Sequence, residues 1–268
     1  MDLQLQAKTA LVTGANRGTG QIIAQTLVQE GVRVAFHAHE EHSLDLSPKD
    51  FDGSSDFIAP VAVWGDLCSD AGAEQVVAQT KAAIGVPDIL INNYGTGTRG
   101  TWQSVGEADF LDMYQKNVLS ATRMVQGFAE AMKAKNWGRI IQLGTIGSHQ
   151  PNSVMPHYYA SKGALATVMV GLANELANTG ITVNTVSPGL IQTEEVEAAY
   201  RAMAKKKAWG DNWDEIVKRI AETEYPNPCG RIATRQEVAD LVVFIASPKA
   251  NFINGQNIRI DGGAVRYV

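Results

Sequence analysis

Tyr158 and Lys162 stand four positions apart in the sequence and carry side chains that exchange protons. The segment 157–178 has the periodicity of a long helix, and residues four apart on a helix share a face. A free tyrosine has a pKa near 10, too high for easy proton exchange at neutral pH. An ammonium about 4 Å away, at an effective dielectric of about 20, interacts with the phenolate by roughly 4 kcal/mol, which could lower that pKa by up to about three units before the penalty of burial is counted. The pair is therefore a candidate general acid/base; the alternative is an ordinary contact on a helix surface.

A second chemical feature is the run Thr-Gly-Ala-Asn-Arg-Gly-Thr-Gly at positions 13–20. It lies between a short apolar run at 9–13, typical of a buried strand, and a periodic segment at 18–30, typical of a helix. Glycines let the backbone turn tightly and approach a pyrophosphate, and the following helix N-terminus offers free N–H groups. The context favours a dinucleotide-binding loop over a plain tight turn. The candidate cofactor-binding residues of this loop are Gly14, Asn16, Arg17, Gly18, Thr19 and Gly20.

Apolar runs of strand length alternate with helix-length periodic segments along the chain. The predicted strands are 9–13, 32–38, 59–64, 88–92, 139–143, 181–186 and 257–260. The predicted helices are 18–30, 70–83, 107–135, 157–178 and 235–246. This alternation predicts an α/β fold with a doubly wound, Rossmann-type parallel sheet covered by helices on both faces. No linker or repeat interrupts the pattern, so we expect residues 1–268 to form a single dinucleotide-binding and catalytic domain.

The segment 194–226 departs from this alternation because its pattern predicts two helices in succession. Trp213, Ile216, Val217 and Ile220 are spaced for one apolar face. The segment follows the carboxyl end of a strand, where ligands bind in open α/β sheets, so we interpret it as a substrate-binding lid rather than a plain helical insertion. Its larger side chains indicate either an apolar or ring-bearing substrate or the core of the lid itself; they are Tyr200, Met203, Trp209 and Trp213.

Composition argues against several other classes of protein. The chain of 268 residues carries 23 Lys+Arg against 28 Asp+Glu, a net charge of −5, so we do not expect a nucleic-acid binder. The longest basic run, 205–207, is interpreted as a solvated helix face. The most apolar long stretch, 164–176, is too short to span a bilayer, and the N-terminus lacks the layout of a signal peptide. The two cysteines, Cys68 and Cys229, form no metal-binding cluster, so we expect reduced thiols, no metal site and a cytoplasmic protein.

Several sequence signatures occur together in a fixed order. They are the glycine run at 13–20, Asn-Asn-Tyr-Gly at 92–95, Tyr-x3-Lys at 158–162, a loop with Pro188, Gly189, Ile191 and Thr193, and a closing Asp-Gly-Gly at 261–263. Together they span nearly the whole chain and resemble the short-chain dehydrogenase/reductase family, with similarity to its 3-oxoacyl-reductase-like members. The sequence departs from the family pattern at Tyr94, where the family has a small alanine.

The resemblance implies roles for four catalytic candidates. Tyr158 would move the proton, Lys162 would tune Tyr158 and hold the nicotinamide ribose, and Asn117 would hold a water in a relay towards Lys162. The alternative for Asn117 is a polar helix residue that bonds locally. The family places a serine thirteen residues before the tyrosine, and here that residue is Thr145, whose hydroxyl can still donate a hydrogen bond to a substrate oxygen. Ser148 is a rival donor.

The resemblance also implies a nicotinamide dinucleotide, and the sequence favours NADP(H) over NAD(H). An acidic residue at the end of the second strand would bond the ribose 2′-hydroxyl of NAD, but Ala38 stands there. Arg17 could reach a 2′-phosphate with help from His39, whereas Glu40 and Glu41 are close enough to argue against it. The cofactor contacts implied outside the glycine loop are His39, Asp66, Leu67, Asn93, Gly95, Tyr158, Lys162, Pro188, Gly189, Ile191 and Thr193.

The resulting hypothesis is an NADP(H)-dependent oxidoreductase that interconverts a carbonyl and a secondary alcohol of a small molecule by hydride transfer. Because Tyr94 and Thr145 depart from the family pattern, the alternative is a catalytically weak NADP-binding scaffold or sensor. A dehalogenase on this fold is disfavoured because the glycine run is intact and Lys162 is not arginine. The resemblance implies a homo-oligomer, a dimer or tetramer joined through the helices at 107–135 and 157–178. No motif identifies the substrate.

Overall fold

Parallel strands form the centre of the computed structural model, which describes residues 1–44, 46 and 59–267. The strands are β1 (Thr9–Val12), β2 (Arg33–Ala38), β3 (Val61–Trp64), β4 (Ile89–Asn92), β5 (Gly138–Leu143), β6 (Ile181–Pro188) and β7 (Asn257–Ile260). They pair in the order β3-β2-β1-β4-β5-β6-β7, and each pairing is parallel. The predicted doubly wound, Rossmann-type parallel sheet is therefore confirmed.

Helices cover both faces of this sheet. They are α1 (Gly18–Gln29), α2 (Asp70–Ile84), α3 (Glu107–Tyr114), α4 (Ser120–Lys135), α5 (Pro156–Glu175), α6 (Glu194–Lys207), α7 (Trp213–Arg219) and α8 (Arg235–Ala246). Helices α1 and α8 enclose one hydrophobic core against the sheet, and α2, α4 and α5 enclose the other. Because both faces are covered, the central strands are buried throughout, and apolar residues predominate in β4 and in the middle of β5.

Shorter helical turns complete the described chain. There are 3₁₀ turns at Glu41–Ser43, Ile146–Ser148 and Pro248–Ala250, and π-helical turns at Gln115–Leu119 and Ile220–Glu224. The turn at Gln115–Leu119 lies between α3 and α4, within the single helix that the sequence predicts at 107–135. A π-helical turn adds one residue to a helix and leaves its apolar pattern nearly unchanged, so periodicity did not reveal it.

A crevice forms where β1 and β4 end side by side. The two strands are paired from Ala10 opposite Ile89 onwards. The chain leaves β1 towards α1 on one face, but it leaves β4 towards the helices of the opposite face. In open α/β sheets this divergence creates the ligand-binding crevice at the carboxyl ends of the strands. The fold thus brings the predicted glycine loop and the Asn-Asn-Tyr-Gly segment to one edge of the sheet.

The two helices predicted for residues 194–226 are present as α6 and α7. Together with Ile232, which precedes α8, they enclose a small hydrophobic core in which Ile216 and Ile220 are buried. Tyr200, Trp209 and Trp213 pack against this core. Packing within the lid segment therefore accounts for these three aromatic residues, and they do not by themselves indicate a ring-bearing substrate.

Two further findings concern membranes and metals. No helix within residues 1–44, 46 and 59–267 combines the length and the apolarity that crossing a membrane requires. Over the same residues, no group of three or more His, Cys, Asp or Glu side chains is arranged to hold a metal ion. Cys68 and Cys229 are both free thiols.

Arg139 joins the start of β5 to the segments that flank β6 and follow α8. Its side chain is 1% exposed. The guanidinium donates to the carbonyl oxygen of Gly180 at 3.3 Å, to the carbonyl oxygen of Ser247 at 3.5 Å, and to the Asn251 side chain. It also lies over the Trp137 ring, 4.4 Å from the centroid. Burial lowers the pKa of Arg139 to about 10.

We predict that Arg139→Met lowers the free energy of unfolding by about 2–4 kcal/mol, because the substitution leaves buried carbonyl oxygens without donors. The matched control is Arg33→Met, at an exposed position of β2, where we expect a change within about 0.5 kcal/mol. Urea unfolding followed by circular dichroism measures both variants. Equal stability of the two variants would contradict the structural role of Arg139.

Candidate active site

The glycine run forms a tight loop between β1 and α1. Gly14 and Gly18 both have φ of +62°, a left-handed conformation that favours glycine. A side chain at Gly20 would overlap the carbonyl oxygen of Gly14, so the third glycine permits the close approach of α1 to the loop. Asn16 and Thr19 occupy intermediate positions and are partly exposed. The predicted loop residues therefore lie together at the carboxyl end of β1.

Asn93 ties this loop to the end of β4. Its amide nitrogen donates to the carbonyl oxygens of Thr13 at 3.0 Å and Gly14 at 2.9 Å. The backbone N–H of Tyr94 donates to the Thr13 hydroxyl at 2.9 Å. These three hydrogen bonds fix the glycine loop relative to the segment that follows β4.

His37, near the end of β2, is a site residue that the sequence analysis missed. Its Nδ1 accepts a hydrogen bond from the backbone N–H of Gly14 at 3.1 Å, and its Nε2 lies 3.0 Å from the carbonyl oxygen of Gly65. These partners assign the ring proton to Nε2. Burial lowers the pKa of His37 to about 4, so the ring is neutral and Nδ1 is free to accept. The sequence feature that could have indicated this role is a histidine among the mostly apolar residues of β2.

The first turn of α1 is open to an anionic ligand. Arg17, which precedes the helix, makes no side-chain capping bond to that turn. Apart from the adjoining residues and the backbone of α1 itself, no described atom lies within 4 Å of where a Cβ on Gly18 would be. The N–H groups of the first turn and the helix dipole therefore offer a site for a phosphate. This geometry fits the pyrophosphate of the dinucleotide that the sequence implied.

Lys162 is buried beneath the carboxyl end of β5, where it is 5% exposed. Its Nζ donates to the carbonyl oxygen of Leu143 at 2.7 Å. Burial lowers the pKa of this lysine to about 8. An ammonium has three N–H donors, so the bond to Leu143 leaves two for other acceptors.

Tyr158 lies one helical turn before Lys162 on α5. Burial raises the pKa of its phenol to about 12, and a side-chain hydrogen bond with Thr145 opposes that rise. The burial penalty thus exceeds the lowering expected from Lys162, whose ammonium is bonded to the Leu143 carbonyl. The phenol therefore remains protonated at neutral pH.

Thr145, rather than Ser148, presents its hydroxyl to the phenol. Thr145 begins the 3₁₀ turn Ile146–Ser148, where its Oγ1 accepts a hydrogen bond from the N–H of Gly147 at 3.2 Å. The Ser148 hydroxyl donates to the carbonyl oxygen of Thr145 at 2.7 Å. Ser148 is thus engaged with the backbone, whereas Thr145 is the hydroxyl residue beside Tyr158.

Asn117 lies in the π-helical turn Gln115–Leu119 and is 1% exposed. Its Oδ1 accepts from the N–H of Thr96 at 3.0 Å, and its Nδ2 donates to the Thr96 carbonyl oxygen at 2.9 Å and to Ser161 Oγ at 3.1 Å. A Cβ on Gly95 would lie 2.5 Å from Asn117 Oδ1 and 3.3 Å from Lys162 Nζ. The side chains of Asn117 and Lys162 therefore converge beneath Gly95, and the alternative of purely local bonding for Asn117 does not apply.

The remaining candidates for the adenosine end of the cofactor lie after β2 and β3. Leu67 is buried, and the carboxylate of Asp66 accepts a hydrogen bond from the N–H of Cys68 at 2.9 Å. His39 Nδ1 lies 3.7 Å from Asp66 Oδ1. Arg17 Nη1 lies 3.1 Å from a carboxylate oxygen of Glu195 on α6. Both candidate ligands for a 2′-phosphate are thus exposed, and each faces a carboxylate.

The candidates after β6 connect the sheet to the lid segment. Pro188 is the last residue of β6, and a side chain at Gly189 would collide with the Tyr225 hydroxyl. Ile191 forms an isolated parallel bridge with Ala233. The hydroxyl of Thr193 caps the N-terminus of α6. These residues therefore lie at the edge of the crevice from which α6 departs.

Tyr94, the departure from the family pattern, is turned towards Cys68. Its hydroxyl lies 3.4 Å from Cys68 Sγ, and its ring is edge-on to His37 with 6.2 Å between centroids. Burial raises the pKa of the Tyr94 phenol. Sequence reasoning did not pair Tyr94 with Cys68 because the two residues come from different strand ends.

Comparisons with known proteins agree with this geometry. Residues 14–265 match the family model described as enoyl-(acyl carrier protein) reductase. The chain is 33% identical over 267 residues to an uncharacterized oxidoreductase of Bacillus subtilis, covering 99% of each chain. It is 31% identical over 261 residues to the 3-oxoacyl-[acyl-carrier-protein] reductase of Escherichia coli, covering 97% of this chain and 98% of that one.

Among solved structures, L-sorbose reductase from Gluconobacter frateurii, complexed with NADPH and L-sorbose, matches with a TM-score of 0.91 at 28% identity over 100% of both chains. A gluconate 5-dehydrogenase from Burkholderia cenocepacia, in complex with NADP and tartrate, matches with a TM-score of 0.83 at 25% identity, over 100% of this chain and 98% of that one. The chain belongs to the short-chain dehydrogenase/reductase family, oxidoreductases that act on CH–OH groups.

Proposed function

We propose that this protein is an NADP(H)-dependent oxidoreductase that interconverts a carbonyl and a secondary alcohol, with Tyr158 as the acid/base. The observation that carries the proposal is the convergence of four side chains around the loop that follows β4: Asn117, Thr145, Tyr158 and Lys162. Their chemistry is that of proton transfer at an oxygen, the step that must accompany hydride transfer at the neighbouring carbon.

The position and charge of each converging residue determine its part in the reaction. The raised pKa keeps Tyr158 protonated, so in the reducing direction its phenol donates the proton to the nascent alkoxide. Thr145, beside that phenol, donates a hydrogen bond that stabilises the negative charge developing on the substrate oxygen. Lys162 uses its two remaining donors to hold ribose hydroxyls, and the bound nicotinamide supplies the hydride.

The choice of NADP(H) has three supports. Ala38 provides no carboxylate at the end of β2 to bond the ribose 2′-hydroxyl or repel a phosphate. Arg17 and His39 are exposed near this end of the crevice and carry the donors that a 2′-phosphate needs. Two related structures, L-sorbose reductase and gluconate 5-dehydrogenase, contain NADPH and NADP.

The alternative of a catalytically weak scaffold or sensor loses its original support. It depended on Tyr94 and Thr145, the two departures from the family pattern. Tyr94 is directed at Cys68, away from the side chains that converge beneath Gly95. Thr145 contacts the phenol with its hydroxyl, as a serine would. Neither departure therefore removes a functional group that the reaction needs.

A homo-oligomer in the cytoplasm completes the proposal. Helices α4 and α5 leave between them a surface cleft of about 480 Å³, which is lined by charged residues such as Glu130 and Glu175 and by the half-buried apolar side chains of Val168 and Leu172. A second copy of the chain would cover these side chains and remove them from water.

Replacement of Tyr158 by Phe should lower kcat by at least about 100-fold, because the reaction loses its proton donor. NADPH affinity, measured by fluorescence titration, should stay within about twofold of the unmodified protein. The matched control is Tyr114→Phe on α3, outside the site. Retention of full turnover by the Tyr158→Phe protein would refute the assignment of the acid/base.

Substitution of Thr145 by serine and by valine should distinguish the role of its hydroxyl group from the role of its shape. Thr145→Ser retains the donor and should keep kcat within a few-fold, whereas Thr145→Val removes it and should lower kcat by about 100-fold. Steady-state NADPH oxidation measures both. Equal rates for the two variants would exclude a role for this hydroxyl.

Removal of the Arg17 guanidinium should identify the phosphate contact. Arg17→Ala is expected to weaken NADPH binding by about tenfold and to leave NADH binding unchanged, because only NADPH carries the 2′-phosphate. Arg33→Ala is the control for a loss of one positive charge elsewhere. Equal loss of affinity for NADPH and NADH would show that Arg17 does not contact the 2′-phosphate.

Leu172→Arg should disrupt the proposed contact between copies, since it replaces a half-buried apolar side chain of the cleft between α4 and α5 by a long charged one. Size-exclusion chromatography with light scattering should then report a smaller species than for the unmodified protein. Phe252→Arg, at an exposed position outside both of these helices, is the control. An unchanged mass in the Leu172 variant would remove this surface as the interface.

A further inference from the structure

A second cavity, here called the Arg99 cleft, opens between the loop that follows β4 and the lid helix α6. It has a volume of about 220 Å³. Arg99 approaches it from the loop, and Tyr200, Met203 and Lys206 approach it from α6. Two cations and no carboxylate thus line a space large enough for a small organic anion.

Neither positive charge of this cleft has a carboxylate partner among the described residues. Across residues 1–44, 46 and 59–267, no carboxylate oxygen lies within 4.0 Å of Arg99 or Lys206. By contrast, each acidic residue of α6 has an arginine partner: Glu194 pairs with Arg235, Glu195 with Arg17, and Glu197 with Arg201. The neighbouring Lys207 is also neutralised, by Glu224. The lid therefore presents an uncompensated positive charge at this cleft.

The cleft lies next to the catalytic phenol. A Cβ on Gly97 would lie 3.0 Å from ring atoms of Tyr158, so the loop crosses directly over that ring. Arg99 is two residues after Gly97, so the Cα atoms of Gly97 and Arg99 are at most about 7 Å apart. The charge of Arg99 also acts on Tyr159, the neighbour of Tyr158, and on Tyr200, where it opposes the rise in pKa that burial causes.

We propose that the Arg99 cleft binds the anionic group, a carboxylate or a phosphate ester, of a substrate whose carbonyl or alcohol carbon lies beside Tyr158. The inference rests on the proposed function, and it adds the substrate class: an oxo-acid or hydroxy-acid, or the corresponding phosphate ester. Arg99 provides a planar guanidinium that matches two oxygens of such a group, and Lys206 adds a second charge from the opposite wall.

The spacing between Gly97 and Arg99 also bears on substrate length. We expect several bonds between an anion held by Arg99 and the reacting carbon, because the residues that line the Arg99 cleft do not include Tyr158. On this argument a 2-oxo acid, whose carboxylate adjoins the carbonyl, is too short to reach both. A chain with a few methylene or hydroxymethylene groups between the two functional groups fits it.

The test compares 5-oxohexanoate with its methyl ester, which has the same ketone but no charge. Isothermal titration calorimetry on the NADP⁺-saturated protein gives the affinity for each compound, and NADPH oxidation gives turnover. We expect the acid to bind at least about tenfold more tightly than the ester. Arg99→Met and Lys206→Met should each weaken binding of the acid and leave binding of the ester unchanged. Lys205→Met, one residue away on α6, is the matched control and should change neither.

A phosphate monoester of a short hydroxyketone forms the second arm and distinguishes the two anions. Selectivity for the phosphate compound alone, lost in the Arg99 variant, supports the cleft and identifies the phosphate class. Equal binding of acid and ester, no binding of either anion, or an equal loss of acid and ester binding in Arg99→Met overturns the inference. Acid-selective binding without turnover would support the Arg99 cleft and contradict the proposed oxidoreductase reaction. Equal turnover of acid and ester would support the reaction and contradict the cleft.

Discussion

The hydrogen bonds between the ends of β1 and β4 are the constraint on which the whole site depends. Parallel strands end at a common edge with unpaired backbone groups, and these must find partners. The Asn93 amide satisfies the carbonyl oxygens of Thr13 and Gly14, and the Thr13 hydroxyl accepts from Tyr94. The glycine loop and the loop that covers Tyr158 are thereby held as one unit.

Much of this fold was predictable from the sequence because its strands are buried on both faces. The run that became β4 is apolar without interruption, and Gly31 ends the first helix where the pattern indicated. The pairing of Tyr158 with Lys162 on one helix face followed from their spacing alone. The π-helical turn that carries Asn117 did not, because one inserted residue has no signature in composition or periodicity.

Features that depend on distant contacts lay beyond sequence reasoning. The spacing of Tyr158 and Lys162 predicts an ammonium near the phenol. It does not predict that this ammonium binds the carbonyl oxygen of Leu143, nineteen positions earlier. Burial then decided the direction of the phenol pKa, and burial follows from packing of the complete chain. The partner of Arg17 is equally distant, since Glu195 reaches it from the lid helix.

The separate core of the lid segment has an evolutionary consequence. Ile216 and Ile220 pack in a core with Ile232 that is separate from the two cores against the sheet. Substitutions in the lid segment therefore need not change the packing of the sheet or of the glycine loop. Relatives about 30% identical to this chain include a reductase named for a carrier-bound acyl group and one solved with a sugar. A lineage can thus diversify its chemistry through a few dozen residues while its catalytic centre persists.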